Sequence, residues 1–180
     1  MSVKVTEEGI SKASAQFWEQ MLGMELESLG ELHGRCIGEE HVLGSCDLAG
    51  VWNGRIEVRL TTGLARSATS AMLMQPAEGI GIEDLLDATR EIANMIAGTI
   101  KSALPRPCTM TVPSAEIHSA NFCDIERNRS ALCVFFLHAT GELMIRLTEA
   151  EKATQKENNQ PSVQSVPAHQ PFQAAMEGVF

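Results

Sequence analysis

The sequence predicts an α+β fold, an antiparallel sheet with long helices packed on one face. Three observations carry this. Residues 55–60 alternate strictly, with Ile56, Val58 and Leu60 apolar against Arg55, Glu57 and Arg59, which is the two-residue period of a strand with one buried and one wet face. Residues 83–103 instead repeat apolar positions at helical spacing, and Pro105 and Pro107 end the run. The order is a strand pair, then two helices, then more strands, so helices and strands do not alternate one by one and a parallel sheet is disfavoured.

Taken in chain order, residues 3–26 read as a helix. Ile10, Phe17, Met21 and Leu22 form one apolar stripe with Trp18 beside it. Thr6, with Glu8 and Gly9 nearby, marks its start, and Gly23 and Gly30 mark its end region. Three strand-like runs follow at 32–37, 43–52 and 55–60. Gly44 and Gly50 interrupt the second, and Asn53-Gly54 between the last two is a hairpin signal. A short helix spans 64–74, and Pro76, Gly79 and Gly81 make a breaker-rich loop before the long helix. Strands are then expected at 109–112 and 120–126, with a turn at 128–130. Residues 131–138 and 143–147 form a hairpin joined at Thr140-Gly141. Residues 1–148 make one domain. The tail, residues 149–180, is rich in Glu, Lys, Gln, Asn, Ser and Pro, and reads as disordered because it has too few apolar groups to offset its ordering entropy.

Composition excludes several classes of function. The chain has 180 residues and a net charge of −9, which repels phosphate backbones and anionic lipids, so neither nucleic acid nor membrane is an expected partner. There is no apolar run long enough to span a bilayer, and the N-terminus shows no signal-peptide pattern, so a cytoplasmic location is expected. The five cysteines lack a Cys-x-x-Cys pair and read as reduced, buried thiols. His33, Cys36, His41 and Cys46 match no common zinc spacing, and no metal is expected in this chain. Phosphate-loop, dinucleotide-loop and nucleophile-elbow motifs are absent. His118 and His138 read as ordinary strand or loop residues, and Met72, Met74, Met95 and Met144 as core filler.

The chemistry-bearing residues lie on the long helix. At about 100° per residue, Leu85, Ile92, Ala93, Ile96, Ile100 and Ala103 share one face, and Asp87, Glu91, Asn94, Gly98 and Lys101 share the opposite one. Glu91 and Asn94, three apart, are surface neighbours. Gly98 costs its helix about 1 kcal/mol relative to alanine and leaves a notch one turn further along.

In this setting the run from Asp87 to Gly98, Asp-Ala-Thr-Arg-Glu-Ile-Ala-Asn-Met-Ile-Ala-Gly, resembles the signature helix of the CheX/CheC/FliY chemotaxis phosphatases, Glu-x-x-Asn-x-x-x-Gly with Met after the Asn. The order of elements over residues 1–148 is similar to that family's, including the hairpin around Asn53-Gly54 and the strand leading into Pro113-Ser114-Ala115. A second signature helix, which the CheC and FliY types carry, is absent, so the resemblance is to the CheX type. Ala93 stands where the family often has Gly, and Arg90 where a small residue is frequent.

The resemblance implies a CheC/CheX-like fold and hydrolysis of the aspartyl phosphate on a CheY-like response-regulator receiver. Asn94 would orient the attacking water and Glu91 would anchor the receiver's lysine. Asp87, Gly98 and Lys101 would meet the partner. Mg²⁺ is then expected on the phosphorylated receiver, with no cofactor in this chain. Two other readings stay open: a non-catalytic receiver-binding or flagellar-switch-like module, and a homodimer that pairs through sheet edges such as residues 143–147.

Overall fold

A computed structural model describes residues 5–30, 36–37, 40–119, 122–123 and 131–150. The chain runs α1 (Glu7–Leu22), β1 (Glu27–Gly30), β2 (Cys36–Ile37), β3 (His41–Gly50), β4 (Gly54–Thr61), α2 (Thr62–Leu73), α3 (Ile82–Ala103), β5 (Cys108–Met110), β6 (Ser114–His118), β7 (Phe122–Cys123), β8 (Ala131–His138) and β9 (Gly141–Glu149). A single 3-10 turn, Ala77–Gly79, links α2 to α3. Seven strands form an antiparallel sheet in the order β1-β8-β9-β4-β3, with β5 and β6 both paired to the far edge of β3. Strands β2 and β7 pair with each other in a separate two-stranded ribbon. The turn expected at 128–130, most of the strand expected at 120–126, His33 and the tail from residue 151 lie outside the described residues.

One register explains the main core. Gly44 of β3 lies opposite Val58 of β4, Val58 opposite Ile145 of β9, and Ile145 opposite Val134 of β8. Residues two apart share a face, so Val42, Cys46, Leu48, Ile56, Leu60, Leu143, Leu147 and Phe136 join that row, and all are buried. The helices lie on this face. Trp18 of α1, Leu64 and Ala68 of α2, and Leu85, Ile92 and Ile96 of α3 close the core. The expected class, helices on one face of an antiparallel sheet, is the architecture found. No helix among the described residues is long and apolar enough to cross a membrane.

Local chemistry sets the helix ends. The Thr6 hydroxyl accepts from the Gly9 amide at 3.2 Å and starts α1, while Gly23, left-handed at φ 64°, ends it. The Arg66 guanidinium of α2 donates to the carbonyls of Ala77 and Ile80 at 3.2 and 2.7 Å, which fixes the loop entering α3. The Gly81 amide there donates to the Asp84 carboxylate at 2.9 Å.

Four expectations need correction. The face of β4 expected to be wet is so only at Arg55, which is exposed and paired with Asp47, and not at Glu57 and Arg59. Arg59 is 7% exposed, its Nη2 donates to Glu57 at 3.3 Å, and Arg146 of β9 lies 3.6 Å from the same carboxylate. Arg59 Nη1 also lies 3.0 Å from Nε2 of buried His41, within hydrogen-bond distance. Leu43, Phe135 and Met144 share this face by register and are also buried, so charges here persist by pairing with one another. Second, residues 143–147 do not form an edge: β9 is paired on both sides, and among the described strands the edges are β1 on one side and β5 and β6 on the other. Third, the hairpin expected at Asn53-Gly54 does form, between β3 and β4, but its loop is not those two residues. Asn53 instead closes a longer loop, accepting from the Gly50 amide at 3.0 Å and donating to the Gly50 carbonyl at 3.3 Å. Fourth, Met74 is 93% exposed and fills no core, because it ends α2 in the left-handed conformation.

Among the described cysteines, Cys46 and Cys133 are buried and Cys108 is half-buried. Burial, reinforced by neighbouring Asp47, pushes the Cys46 thiol up to about 11 from an ordinary 9.0. Two pH units cut the thiolate fraction about 100-fold. At pH 8, alkylation mapped by mass spectrometry should therefore modify Cys108 well before Cys46, which reacts only after denaturation.

Candidate active site

Helix α3 owes its position to a close approach. A Cβ built on Gly44 would lie 2.8 Å from the Ala93 Cβ and 2.9 Å from the Thr89 carbonyl oxygen. The helix backbone therefore rests almost directly on β3. Ala88, Thr89, Ile92, Ala93, Ile96, Ala97 and Ile100 are buried against the sheet and its neighbours. The buried arc is wider than the expected stripe: Ala103 is only half-buried, while Ala88, Thr89 and Ala97 are added. Once that arc faces inward, the 3.6-residue period carries the opposite residues outward. Asp87 and Glu91 are exposed, and Asn94, Gly98 and Lys101 are half-buried.

The expected face is thus brought together on one side of the molecule, with its members in different settings. Asp87 forms an ion pair with Arg90 one turn on, so it is not a free rim charge. Among the described residues neither the Glu91 carboxylate nor the Asn94 amide is engaged by another side chain. Gly98 has nothing within 4 Å of where a Cβ would stand. No internal packing requires a glycine there.

The second wall comes from the strand edge. Because β5 and β6 both pair with β3, the chain between them, Thr111 to Pro113, loops out beside α3. Together with Asp87, Arg90, Glu91, Asn94 and Met110 it encloses an open hollow of about 530 Å³. A second hollow of about 670 Å³ continues along the helix, lined by Gly98, Lys101, Ser102, Arg106, Pro107, Cys108 and Met110. The groove is acidic near Glu91 and basic near Lys101 and Arg106. The sequence marks α3 but not its opposite wall, because pairing of both β5 and β6 with one strand edge is a tertiary fact. The strand leading into Pro113 was the only hint.

Chemically the site offers two carboxylates, Asp87 paired with Arg90 and Glu91 outside any ion pair among the described residues, one amide able to donate and accept, and a notch. Among the described residues no group of three or more His, Cys, Asp or Glu could hold a metal ion. His118 ends β6 with its Nε2 3.0 Å from the Glu116 carboxylate and stacks on His41, and His138 bonds Thr140 at 2.8 Å, so neither enters the hollow.

The sequence model of the family described as "Chemotaxis phosphatase CheX" matches residues 42–137, over half of the chain, and the match contains α3 and both walls of the groove. No curated protein matches the sequence. Solved structures are similar in fold. CheX from Vibrio vulnificus superposes with a TM-score of 0.66 at 18% identity, covering 83% of this chain and 99% of that one. CheX from Desulfovibrio desulfuricans gives 0.61 at 20% identity, covering 79% and 97%. The CheX–CheY–BeF3–Mg²⁺ complex from Borrelia burgdorferi gives 0.56 at 18% identity, covering 82% and 100%. Identities this low speak to the fold alone.

Proposed function

The chain belongs to the CheX family of chemotaxis phosphatases, and from that premise we propose that it hydrolyses the aspartyl phosphate of a CheY-like receiver through Glu91 and Asn94. The observation that carries the reading is the pairing of these two unengaged side chains, neighbours on one helix face, in a hollow open enough to admit a protein surface. The Borrelia relative was solved with CheY, BeF3 and Mg²⁺, which supports a receiver as the partner here.

An acyl phosphate is already activated, so the phosphatase need only position water in line with phosphorus. Asn94 accepts from the water through its amide oxygen and can donate to a phosphoryl oxygen through its nitrogen. A strong base is unnecessary when the transition state is loose. The water oxygen bonds to phosphorus, the phosphorus–carboxylate bond breaks, and the aspartate leaves as its carboxylate while the water's proton goes to the released phosphate. The receiver's own lysine and Mg²⁺ neutralise charge. Glu91 pairs with that lysine, an interaction that gains value as docking excludes water. Such a protein works where receivers are phosphorylated, in the cytoplasm. The assay is loss of phosphate from a phosphorylated receiver with and without the protein, and no acceleration with any cognate receiver removes the reading.

Gly98 gives a second check. Its position has room for a methyl group, so Gly98→Ala should stabilise the fold by about 0.5–1 kcal/mol through helix propensity and the unfolded state. If the notch admits the receiver, the same change should raise KM for the phosphorylated receiver. A variant that melts higher yet works less well, by thermal denaturation and the phosphate assay, is the expected outcome.

A further inference from the structure

We infer that Val112 is the apolar anchor that seats the receiver against the Glu91–Asn94 pair, and that it sets which receivers are accepted. This rests on the phosphatase reading and adds a partner-contact residue outside the signature helix.

Val112 is 89% exposed, and an isolated exposed valine would need no explanation. Its setting is what requires one. The residues on either side are tied down: the Thr111 amide donates to the Asp47 carbonyl at 3.0 Å, the Asp47 amide donates to the Thr111 hydroxyl at 2.9 Å, and the Ser114 hydroxyl lies 3.1 Å from that of Ser45. Pro113 further restricts the backbone between them. The loop is thereby held in one shape by β3, the strand on which α3 rests, so Val112 and Asn94 are referenced to one rigid element. No described residue buries Val112, although the chain is anchored one residue before it and two after.

The occupant follows from continuity. Val112 lines the hollow that Glu91 and Asn94 line, so a protein presenting a phosphorylated carboxyl to Asn94 must cover Val112 as well. A stiff β-branched side chain loses little freedom on being covered. The complementary surface is an apolar patch on the receiver beside its phosphorylation site. Such contact is present before and during the reaction, so it acts on binding and not on the chemical step.

The test uses the full chain and a cognate CheY-type receiver phosphorylated with acetyl phosphate. Acceleration by wild type is measured first, and its absence defeats the phosphatase reading itself. Given acceleration, Val112→Ser should raise KM about tenfold with kcat within about twofold, and Val112→Leu should keep KM near wild type. The Val112→Ser defect should persist at high salt, whereas a Lys101→Ala defect fades as screening increases. The melting temperature should not move. An unchanged KM in Val112→Ser, a leucine variant as impaired as the serine one, or a change in oligomeric state without a change in KM overturns the inference while leaving the phosphatase reading standing.

Discussion

Asn94→Ala should abolish the acceleration of receiver dephosphorylation, a loss of about 100-fold or more in kcat, and leave receiver binding nearly unchanged. The side chain is half-buried on a helix and engages no other described side chain, so removing it costs the fold little and leaves no buried partner unsatisfied. What is lost is the group that holds water in line. Asn94→Asp should be poor as well, because a carboxylate is acceptor-only and repels the phosphoryl oxygens. Glu91→Ala should fail differently. It removes the charge that meets the receiver's lysine, so it should weaken binding as well as turnover. Stopped-flow decay of the phosphorylated receiver across a titration of each variant separates the two patterns. A fully active Asn94→Ala would leave an activity whose mechanism lies elsewhere.

The elements that could be read from the sequence are those whose cause is local. Helix α3 begins at Ile82 and ends at Ala103, against the expected 83–103, because a 3.6-residue period and two prolines are local signals. The β8–β9 hairpin is equally close, since alternation and Thr140-Gly141 mark it. Strands β1 and β6 escape because both lie at the sheet's edges and stay largely exposed: Glu27–Gly30 has only four residues and no apolar alternation, and Ser114–His118 does alternate, with Ala115 and Ile117 apolar, but over only five residues. Arg59 escapes for another reason. Its burial depends on Glu57 and on Arg146, a residue 87 positions away brought near by the β4–β9 register. The candidate site divides along the same line. Its helix face is periodic and visible, but the Met110–Pro113 wall exists only because two separate strands share one edge of β3.

That dependence on β3 makes Gly44 the most sensitive position outside the helix. Gly44→Ala would put a methyl group 2.8 Å from the Ala93 Cβ and 2.9 Å from the Thr89 carbonyl oxygen. The second contact is with backbone, so no rotamer change relieves it and α3 must lift from the sheet. Overpacking of this kind costs about 1–3 kcal/mol, a fall of several degrees in melting temperature, and Gly44→Val should cost more. The helix that lifts carries Glu91 and Asn94, while the loop holding Val112 stays tied to β3. The variant should therefore lose kcat beyond what its unfolded fraction explains, because displacement of a catalytic group by a fraction of an ångström is enough to spoil alignment. Ala93→Gly supplies the internal control. Alone it should destabilise by about 1 kcal/mol through helix propensity. Combined with Gly44→Ala it removes the Cβ–Cβ clash, so the pair should be less destabilising than the sum of the two, with a coupling of about 0.5–2 kcal/mol by denaturant titration. The Ala93 methyl group and the Thr89 carbonyl oxygen both limit the approach of α3 to β3, and Ala93→Gly removes only the first of these limits. Strict additivity would mean that the Thr89 contact alone sets the clash and that Ala93 does not bear on β3.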